Sequence, residues 1–233
     1  GITRATIGNN RKNGGQNVKA KTLEVMSKAC GYTLIHSNAR DGVNPNDESA
    51  IFELEEKKIK KIRIGLFGFG RIGRNIFRIG YNDPRFEFVA ISDLGDVEAM
   101  HYLLMRDSIH GTMNDDISLN GKDLIYGQKS TRLLPGAAPG SIPWDAFDID
   151  VVIDSTGVYR TREELQKHID SGAKRVLVSK PPTNEIDRII IQGINDDEIK
   201  TEDKIISTTS STTQVLALMM KVLDDNFGIE RAM

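Results

Sequence analysis

The sequence predicts an α/β fold, a doubly wound parallel sheet with helices on both faces and a small helical N-terminal extension. Apolar runs typical of strands alternate with helical patterns from Lys61 onward. One run, residues 151–153, is continuously apolar, which is typical of a parallel strand that is buried on both faces. A glycine-rich turn joins the first of these strands to the first helix.

Three regions follow one another along the chain. Residues 1–36 are basic and contain two short helical patterns, and residues 37–60 are polar and are predicted to be a linker. Residues 61–233 carry the strand and helix alternation and are predicted to form one domain. Its predicted elements are strand 62–67, helix 71–82, strand 86–92, helix 96–105, hairpin 117–126, strand 150–154, helix 162–170, strands 175–179, 187–191 and 204–207, and helix 212–227.

Local signals place the boundaries of these elements. The first helix should end before Pro84, because the residue preceding a proline avoids helical backbone angles. Asn120 and Gly121 lie between two short apolar runs and predict a hairpin with a type I′ turn. Gly228 is placed to cap the last helix. That helix carries an apolar stripe at helical spacing, which is predicted to be core: Val215, Leu218, Met219 and Val222.

The glycine-rich turn has the spacing of a dinucleotide-binding fingerprint in a Rossmann-type sheet. Gly68 would permit the tight turn, Gly70 would let the backbone approach a pyrophosphate, and Gly73 would let the helix pack close to the strand. The helix N-terminus would add free N–H groups and a partial positive charge. The alternative is a glycine turn in an α/β protein that binds no dinucleotide.

Asp93 ends the second predicted strand, at about the spacing that this fingerprint requires for its acidic residue. A carboxylate there can accept hydrogen bonds from a ribose diol and would repel a ribose phosphate. We therefore predict NAD as the cofactor, in preference to NADP. The alternative for Asp93 alone is a solvated carboxylate in a loop.

Composition places few limits on function. The net charge is −2, but the segment before residue 41 has seven basic side chains against one acidic one, a local formal charge of +6. Cys30 is the only cysteine, so an intrachain disulfide is impossible, and we expect it to be a small buried hydrophobe. The sequence shows neither a membrane-spanning run nor a signal peptide, which predicts a cytoplasmic protein without membrane partners. No metal site is predicted.

From residue 61 to residue 233 the chain resembles the NAD-binding domain of glyceraldehyde-3-phosphate dehydrogenase. The resemblance rests on four segments, residues 68–74, 107–111, 154–159 and 225–229. It implies a phosphorylating aldehyde dehydrogenase that transfers hydride to NAD, with a phosphorylated aldehyde as substrate and homo-oligomers in the full-length protein. It also implies that Thr156 and Gly157 lie near the nicotinamide end. Three further positions are implied to line the cofactor site, two of them through their N–H groups at the pyrophosphate: Ser179, Arg71 and Ile72.

One departure from that family concerns the nucleophile. The family motif is Ser-Asn-Ala-Ser-Cys-Thr-Thr-Asn, whereas residues 207–214 read Ser-Thr-Thr-Ser-Ser-Thr-Thr-Gln, which places Ser211 at the cysteine position. A serine hydroxyl needs a strong positioned base, and the family's histidine base lies in a second domain. We therefore expect the chain to be inactive or a portion of a longer protein. The available histidines are interpreted as surface or structural: His36, His101, His110 and His168.

The basic N-terminal segment, residues 1–36, shows a weaker resemblance to the helix-turn-helix of Xre-type regulators. Arg4 could reach base edges there, while Lys12, Lys19 and Lys21 could neutralise phosphates. A solvated basic helical hairpin is the alternative. Two functions therefore remain open, a dehydrogenase whose nucleophile position is changed, and a non-catalytic NAD-binding regulator that contacts DNA.

Overall fold

The computed structural model describes residues 61–113, 117–136 and 138–231. The predictions for residues 1–36 and 37–60, including Cys30 and His36, lie outside these ranges. The described residues form a nine-stranded sheet and a separate two-stranded ribbon. Seven strands belong to the first part of the domain: β1 (Ile62–Phe67), β2 (Phe86–Asp93), β3 (Arg106–Asp107), β4 (Gly111–Thr112), β5 (Ser118–Asn120), β6 (Asp123–Tyr126) and β7 (Lys129–Pro135).

The second part of the domain adds four strands, and the described residues contain four α-helices in all. The strands are β8 (Val151–Asp154), β9 (Arg175–Val178), β10 (Arg188–Ile189) and β11 (Ile205–Ser207). The helices are α1 (Arg71–Gly80), α2 (Val97–Met105), α3 (Arg162–Asp170) and α4 (Ser211–Phe227). The predicted α/β fold is confirmed, and a 3₁₀ turn at Trp144–Phe147 precedes β8.

The large sheet has the order β10-β11-β9-β8-β1-β2-β7-β6-β5. Strands from β10 to β7 are parallel, and β6 and β5 continue the sheet antiparallel. The chain first builds outward from β1 through β2 to β7, and then returns to place β8 on the other side of β1. This reversal creates a crevice at the carboxyl ends of β1 and β8, where doubly wound sheets bind ligands.

The central strands are buried on both faces of the sheet. Ile64 and Leu66 of β1 contribute to the core on one face, together with Phe77 of α1. Phe67, the next residue of β1, points to the opposite face and packs with Trp144. Burial on both faces explains why these strands read as continuous apolar runs rather than as an alternation.

The hairpin between β5 and β6 forms, but its turn differs from the prediction. Asn120 pairs with Asp123, so Gly121 and Lys122 are the central residues of the turn. Of these two, Gly121 alone has a positive φ, of 61°, and Asn120 has none. A type I′ turn needs positive φ at both central residues, so the predicted turn type and its position were wrong. The apolar pattern predicted the hairpin, whereas strand pairing decided which residues turn.

The predicted core stripe of the last helix was also wrong. Val215, Met219 and Val222 of α4 are each about 60% exposed, and no residue of this helix is buried. Periodicity identifies the apolar face of a helix but not what covers it, and none of the residues that the structure describes covers this face. As for membranes, none of the four helices has both the length and the apolar character needed to cross a bilayer.

Candidate functional site

A cleft opens at the carboxyl ends of β1, β2 and β8, at the crevice that the strand order creates. Four predicted site residues line it, namely Gly68, Gly70, Asp93 and Thr156. The other cleft residues were not predicted as site residues, although three of them belong to the family-resembling segment 154–159: Phe67, Ser92, Leu94, Gly136, Ser155, Val158 and Tyr159.

The turn after β1 is held by two close backbone approaches. Gly68 has φ +91°, and a Cβ there would lie 2.8 Å from the backbone N of Thr156. At Gly73 a Cβ would lie 2.2 Å from the carbonyl oxygen of Gly68 and 2.8 Å from Oγ of Ser155. Real Cβ contacts are not this short, so the positions require glycine for turn geometry and for helix packing respectively.

Gly70 differs from these two glycines. Its φ is −66°, and a Cβ built on it would meet no atom within 4 Å, so its bare backbone faces open space in the cleft. Arg71 and Ile72 follow as the first residues of α1, and no side chain caps this helix. The first N–H groups of a helix have no intrahelical partner and carry a partial positive charge. This corner of the cleft therefore suits an anionic group that comes close to the backbone.

Asp93, at the end of β2, stabilises the same turn through hydrogen bonds. Its Oδ2 accepts a hydrogen bond from the Phe69 N–H, and its Oδ1 accepts one from the Gly95 N–H at 2.8 Å. A carboxylate has about four acceptor sites, so Asp93 keeps capacity for a ligand hydroxyl while it holds the turn. Its position at the edge of the cleft is compatible with a ribose diol.

The loop after β8 brings Thr156 to the opposite wall. Asp154 Oδ1 accepts hydrogen bonds from Thr156 N–H at 2.9 Å and from the Thr156 hydroxyl at 2.7 Å. Ser155 Oγ donates to the Gly68 carbonyl at 2.7 Å, which joins this loop to the glycine turn. Gly157 and Ser179 are not among the residues that line the cleft. Gly157 has φ +73°, and Ser179 donates its N–H to the Asp154 carbonyl at 3.0 Å.

The region that contains the cleft is similar in sequence to known proteins. Residues 62–162 match the family model described as "Glyceraldehyde 3-phosphate dehydrogenase, NAD binding domain". In this range the chain is similar to an NAD-binding domain of the glyceraldehyde-3-phosphate dehydrogenase family. The glycine turn and Asp93 therefore lie in the part of the chain that matches an NAD-binding domain, and the predicted resemblance is confirmed.

Curated relatives agree with the family match. Glyceraldehyde-3-phosphate dehydrogenase 1 of Bacillus subtilis (strain 168) is 39% identical over 173 residues, which cover 74% of this chain and 51% of the relative. Glyceraldehyde-3-phosphate dehydrogenase of Geobacillus stearothermophilus gives the same identity and shares, and glyceraldehyde-3-phosphate dehydrogenase 1 of Bacillus cereus is 36% identical over 172 residues, 73% of this chain and 51% of the relative. The chain thus spans about half the length of these dehydrogenases.

Residues 107–111, one of the four segments that carry the resemblance, form most of the β3–β4 ribbon. Asp107 Oδ1 accepts hydrogen bonds from the N–H groups of Ile109 and His110, both at 2.8 Å. The bonds from His110 and then Ile109 hold the pKa of the Asp107 carboxyl well below its ordinary value. Arg78 of α1 ties the ribbon to the domain by donating to the Gly111 carbonyl at 3.0 Å. These contacts fix the conformation of residues 107–111 and hold them next to α1.

Gly136 lines the cleft, and the need for a glycine there arises from a contact between two different strands. A Cβ there would lie 1.6 Å from Oγ of Ser92, which is buried and has no hydrogen-bond partner among the described residues. The sole sequence signal for both residues is that they lie at or just beyond a strand's carboxyl end. That signal is shared by several positions with no contact to the cleft.

Ser211 lies apart from the cleft lining, at the first residue of α4. It is exposed, and Ser210 rather than Ser211 caps the helix, with its Oγ accepting the Thr213 N–H at 3.1 Å. Thr209, two residues earlier, is buried with φ +55°, a conformation rare for a β-branched residue. Such strain concentrates at functional sites. The backbone before the predicted nucleophile position is therefore held in an unusual shape that no sequence pattern indicated.

The described histidines are engaged elsewhere. His101 Nε2 contacts the Ile117 carbonyl at 2.6 Å, and His110 Nδ1 contacts Asp107 at 3.1 Å. His168 is fully buried and accepts from Trp144. Within residues 61–113, 117–136 and 138–231, no three His, Cys, Asp or Glu side chains gather into a group that could hold a metal ion.

Proposed function

We propose that the cleft binds NAD through the glycine turn, the start of α1, Asp93 and the loop after β8. The main support for this proposal is the open space beside Gly70. Gly68 and Gly73 are needed for the fold of the turn, whereas Gly70 is not. A glycine with a permitted φ and no crowding atom is explained by a ligand that approaches the backbone. The proposed NAD-binding residues are Gly68, Gly70, Arg71, Ile72, Gly73, Asp93, Thr156, Gly157 and Ser179.

Each group has a distinct part in this proposal. The N–H groups of Arg71 and Ile72 hold the pyrophosphate, and Asp93 accepts from the ribose hydroxyls. The family resemblance assigns Thr156, Gly157 and Ser179 to the nicotinamide end, and of these three Thr156 lines the cleft. Bound NAD would supply the hydride acceptor for aldehyde oxidation. The residues of this chain bind and orient it.

We further propose that this chain binds cofactor without oxidising an aldehyde. Ser211 stands where the dehydrogenase family has its cysteine, and the histidines described above hold partners of their own. The matched dehydrogenases are named for glyceraldehyde 3-phosphate and are about twice as long as the matched region. A phosphorylated aldehyde is therefore the substrate class of the longer relatives, and homo-oligomers are the state proposed for a full-length form.

Asp93 should set the preference for NAD over NADP. We expect calorimetric titration to show NAD binding at least about tenfold tighter than NADP, because a carboxylate that accepts from a ribose hydroxyl repels a phosphate there. Asp93→Asn keeps the shape and an acceptor for the Phe69 N–H but removes the charge. The Asp93→Asn variant should bind NAD more weakly, and the ratio of its affinities for NAD and NADP should be smaller. Equal affinity of the unaltered chain for both cofactors would contradict this role of Asp93.

A second function has one observation in its favour, the +6 charge before residue 41. If residues 1–36 contact DNA, affinity for a duplex should fall steeply as salt rises, because phosphate contacts release counterions. Changing Lys19 and Lys21 to Ala should flatten that salt dependence. Changing Arg4 should alter any preference among sequences. Absence of binding at low salt would leave the segment as a solvated basic hairpin.

A further inference from the structure

The second half of helix α4 is exposed on every side. Leu218, near the middle of the helix, still reaches the domain, because a Cβ on Gly193 would lie 3.7 Å from its Cδ2. Every residue from Lys221 to Phe227 is exposed. A helical segment this short is marginal in water by itself, since most helical stability in proteins comes from packing of an apolar face. This half of α4 therefore needs a surface to pack against.

The exposed apolar residues of α4 have the spacing of a seam between two helices. Val215, Met219 and Val222 follow one another at steps of four and three residues, the alternation that keeps one line of side chains against a second helix. Further apolar side chains widen this line to a face typical of a helix in the core of a bundle. We call this face the α4 stripe: Val215, Leu216, Met219, Val222, Leu223 and Phe227.

The exposed area of the α4 stripe is close to that of a dimer interface. Its aliphatic side chains are between 45% and 61% exposed, and Phe227 is 82% exposed. Together they present roughly 700 Å² of largely apolar surface, against about 800 Å² per partner in a standard interface. The largest apolar patch on a typical monomer is about 300–600 Å². The stripe is therefore larger than a surface that a monomer usually leaves in water.

The charged residues of α4 lie away from the stripe. With about 3.6 residues per turn, Lys221, Asp224 and Asp225 fall on the side of the helix that is turned away from Met219. Lys221 Nζ pairs with Asp225 Oδ2 there at 3.1 Å. In a two-fold contact the same surface of both copies meets, so a charge on the stripe would face its own kind. The absence of charge from the stripe permits a contact between identical surfaces.

The pattern of α4 is also self-complementary about Met219. When two copies of the helix run antiparallel with Met219 at the centre, apolar residues face apolar residues, and the exposed polar residues at the two ends face each other. This match favours a second copy of the chain over an unrelated partner. The facing pairs are Thr212 with Asn226, Val215 with Leu223, and Leu216 with Val222.

We propose that the α4 stripe is the interface of a two-fold dimer, in which two copies of this chain pack their α4 helices antiparallel about Met219. Each copy supplies what the exposed half of the other helix needs, an apolar surface of matching length and pattern. The stripe shares no residue with the described lining of the cleft. Dimer formation therefore does not depend on the proposed binding of NAD.

Sedimentation equilibrium of the full chain measures the oligomeric state. We expect a dimer at micromolar concentration, and Met219→Glu should raise the dissociation constant at least about a hundredfold, because two carboxylates would face each other at the two-fold axis. Ile109→Glu is the matched control, since Ile109 is an 80% exposed apolar residue between β3 and β4. It should leave the dimer intact. Both positions are exposed, so both variants should keep the unfolding midpoint of the unaltered chain.

Two results would overturn the proposal. A monomeric unaltered chain would do so, and protection of the α4 amides from hydrogen exchange in that monomer would assign the stripe to residues 1–60 of the same chain. A dimer that Met219→Glu leaves unchanged would place the interface on another surface.

Disulfide trapping tests the antiparallel direction. In a Cys30→Ser background, Met219→Cys places one thiol of each copy beside the two-fold axis and should cross-link readily on oxidation. In Val222→Cys the two thiols lie about 9 Å apart along the helix axis, too far for a disulfide, so cross-linking should be at least about tenfold slower. Lys221→Cys, on the charged side of α4, gives the background rate. Equal rates for Met219→Cys and Val222→Cys would overturn the antiparallel pairing.

Discussion

Gly73→Ala is expected to destabilise the domain by about 3 kcal/mol, the upper end for overpacking in a tight core. The new methyl would lie 2.2 Å from the Gly68 carbonyl oxygen, so the glycine turn or the start of α1 must move. Alanine favours helices over glycine by about 1 kcal/mol at most, which does not offset the clash. Thermal unfolding followed by circular dichroism measures the loss, and NAD affinity should fall with it.

Gly70→Ala is the matched control for that variant. It lies three residues away in the same turn, has φ −66° and would meet no atom within 4 Å. We expect its unfolding midpoint to match that of the unaltered chain, while NAD binding weakens roughly tenfold because the methyl occupies the space proposed for the pyrophosphate. Unchanged NAD affinity in Gly70→Ala would contradict the proposed approach of the ligand to this backbone.

The second large effect concerns chemistry at Ser211. We expect the chain to produce no measurable NADH from glyceraldehyde 3-phosphate, NAD and phosphate, because a serine hydroxyl is a poor nucleophile without a positioned base. Ser211→Cys should not restore full turnover, because the described histidines have other partners and a positioned general base is worth about 10²–10⁴-fold. Absorbance at the NADH band follows the reaction. Clear NADH production by the unaltered chain would contradict the proposed lack of activity.

A chemical control shows whether the position itself is suited to a thiolate. In a Cys30→Ser background, Ser211→Cys leaves one thiol, exposed at the N-terminus of α4. A helix N-terminus lowers the pKa of a thiol, so this cysteine should react with iodoacetamide faster than a free cysteine does at neutral pH. Fast alkylation without turnover would show that the position supports a reactive thiol and that catalysis lacks a positioned general base. Slow alkylation would instead show that a site next to the strained backbone of Thr209 does not support a reactive thiol.

Much of the candidate cofactor site could be predicted from local sequence. The strand, turn and helix around Gly68, Gly70 and Gly73 are contiguous, and Asp93 follows at the end of the next strand, so neighbouring residues carry most of this wall. Helix α3 was also predicted with its observed bounds, and the structure adds a capping box between Thr161 and Glu164. Such features are readable because each depends on residues a few positions apart.

The sequence by itself determined the α/β class and the glycine turn with Asp93, because periodicity and short motifs act within a few residues, and it predicts a changed nucleophile position at Ser211. Only the tertiary structure decided which side chains contact one another and which remain exposed. It placed Gly136 over Ser92 and His168 between Trp144 and Asp154, and it left the apolar face of α4 exposed. These outcomes depend on contacts between segments far apart in the chain, where the order of strands and the close approach of backbones, rather than local propensity, set the distances.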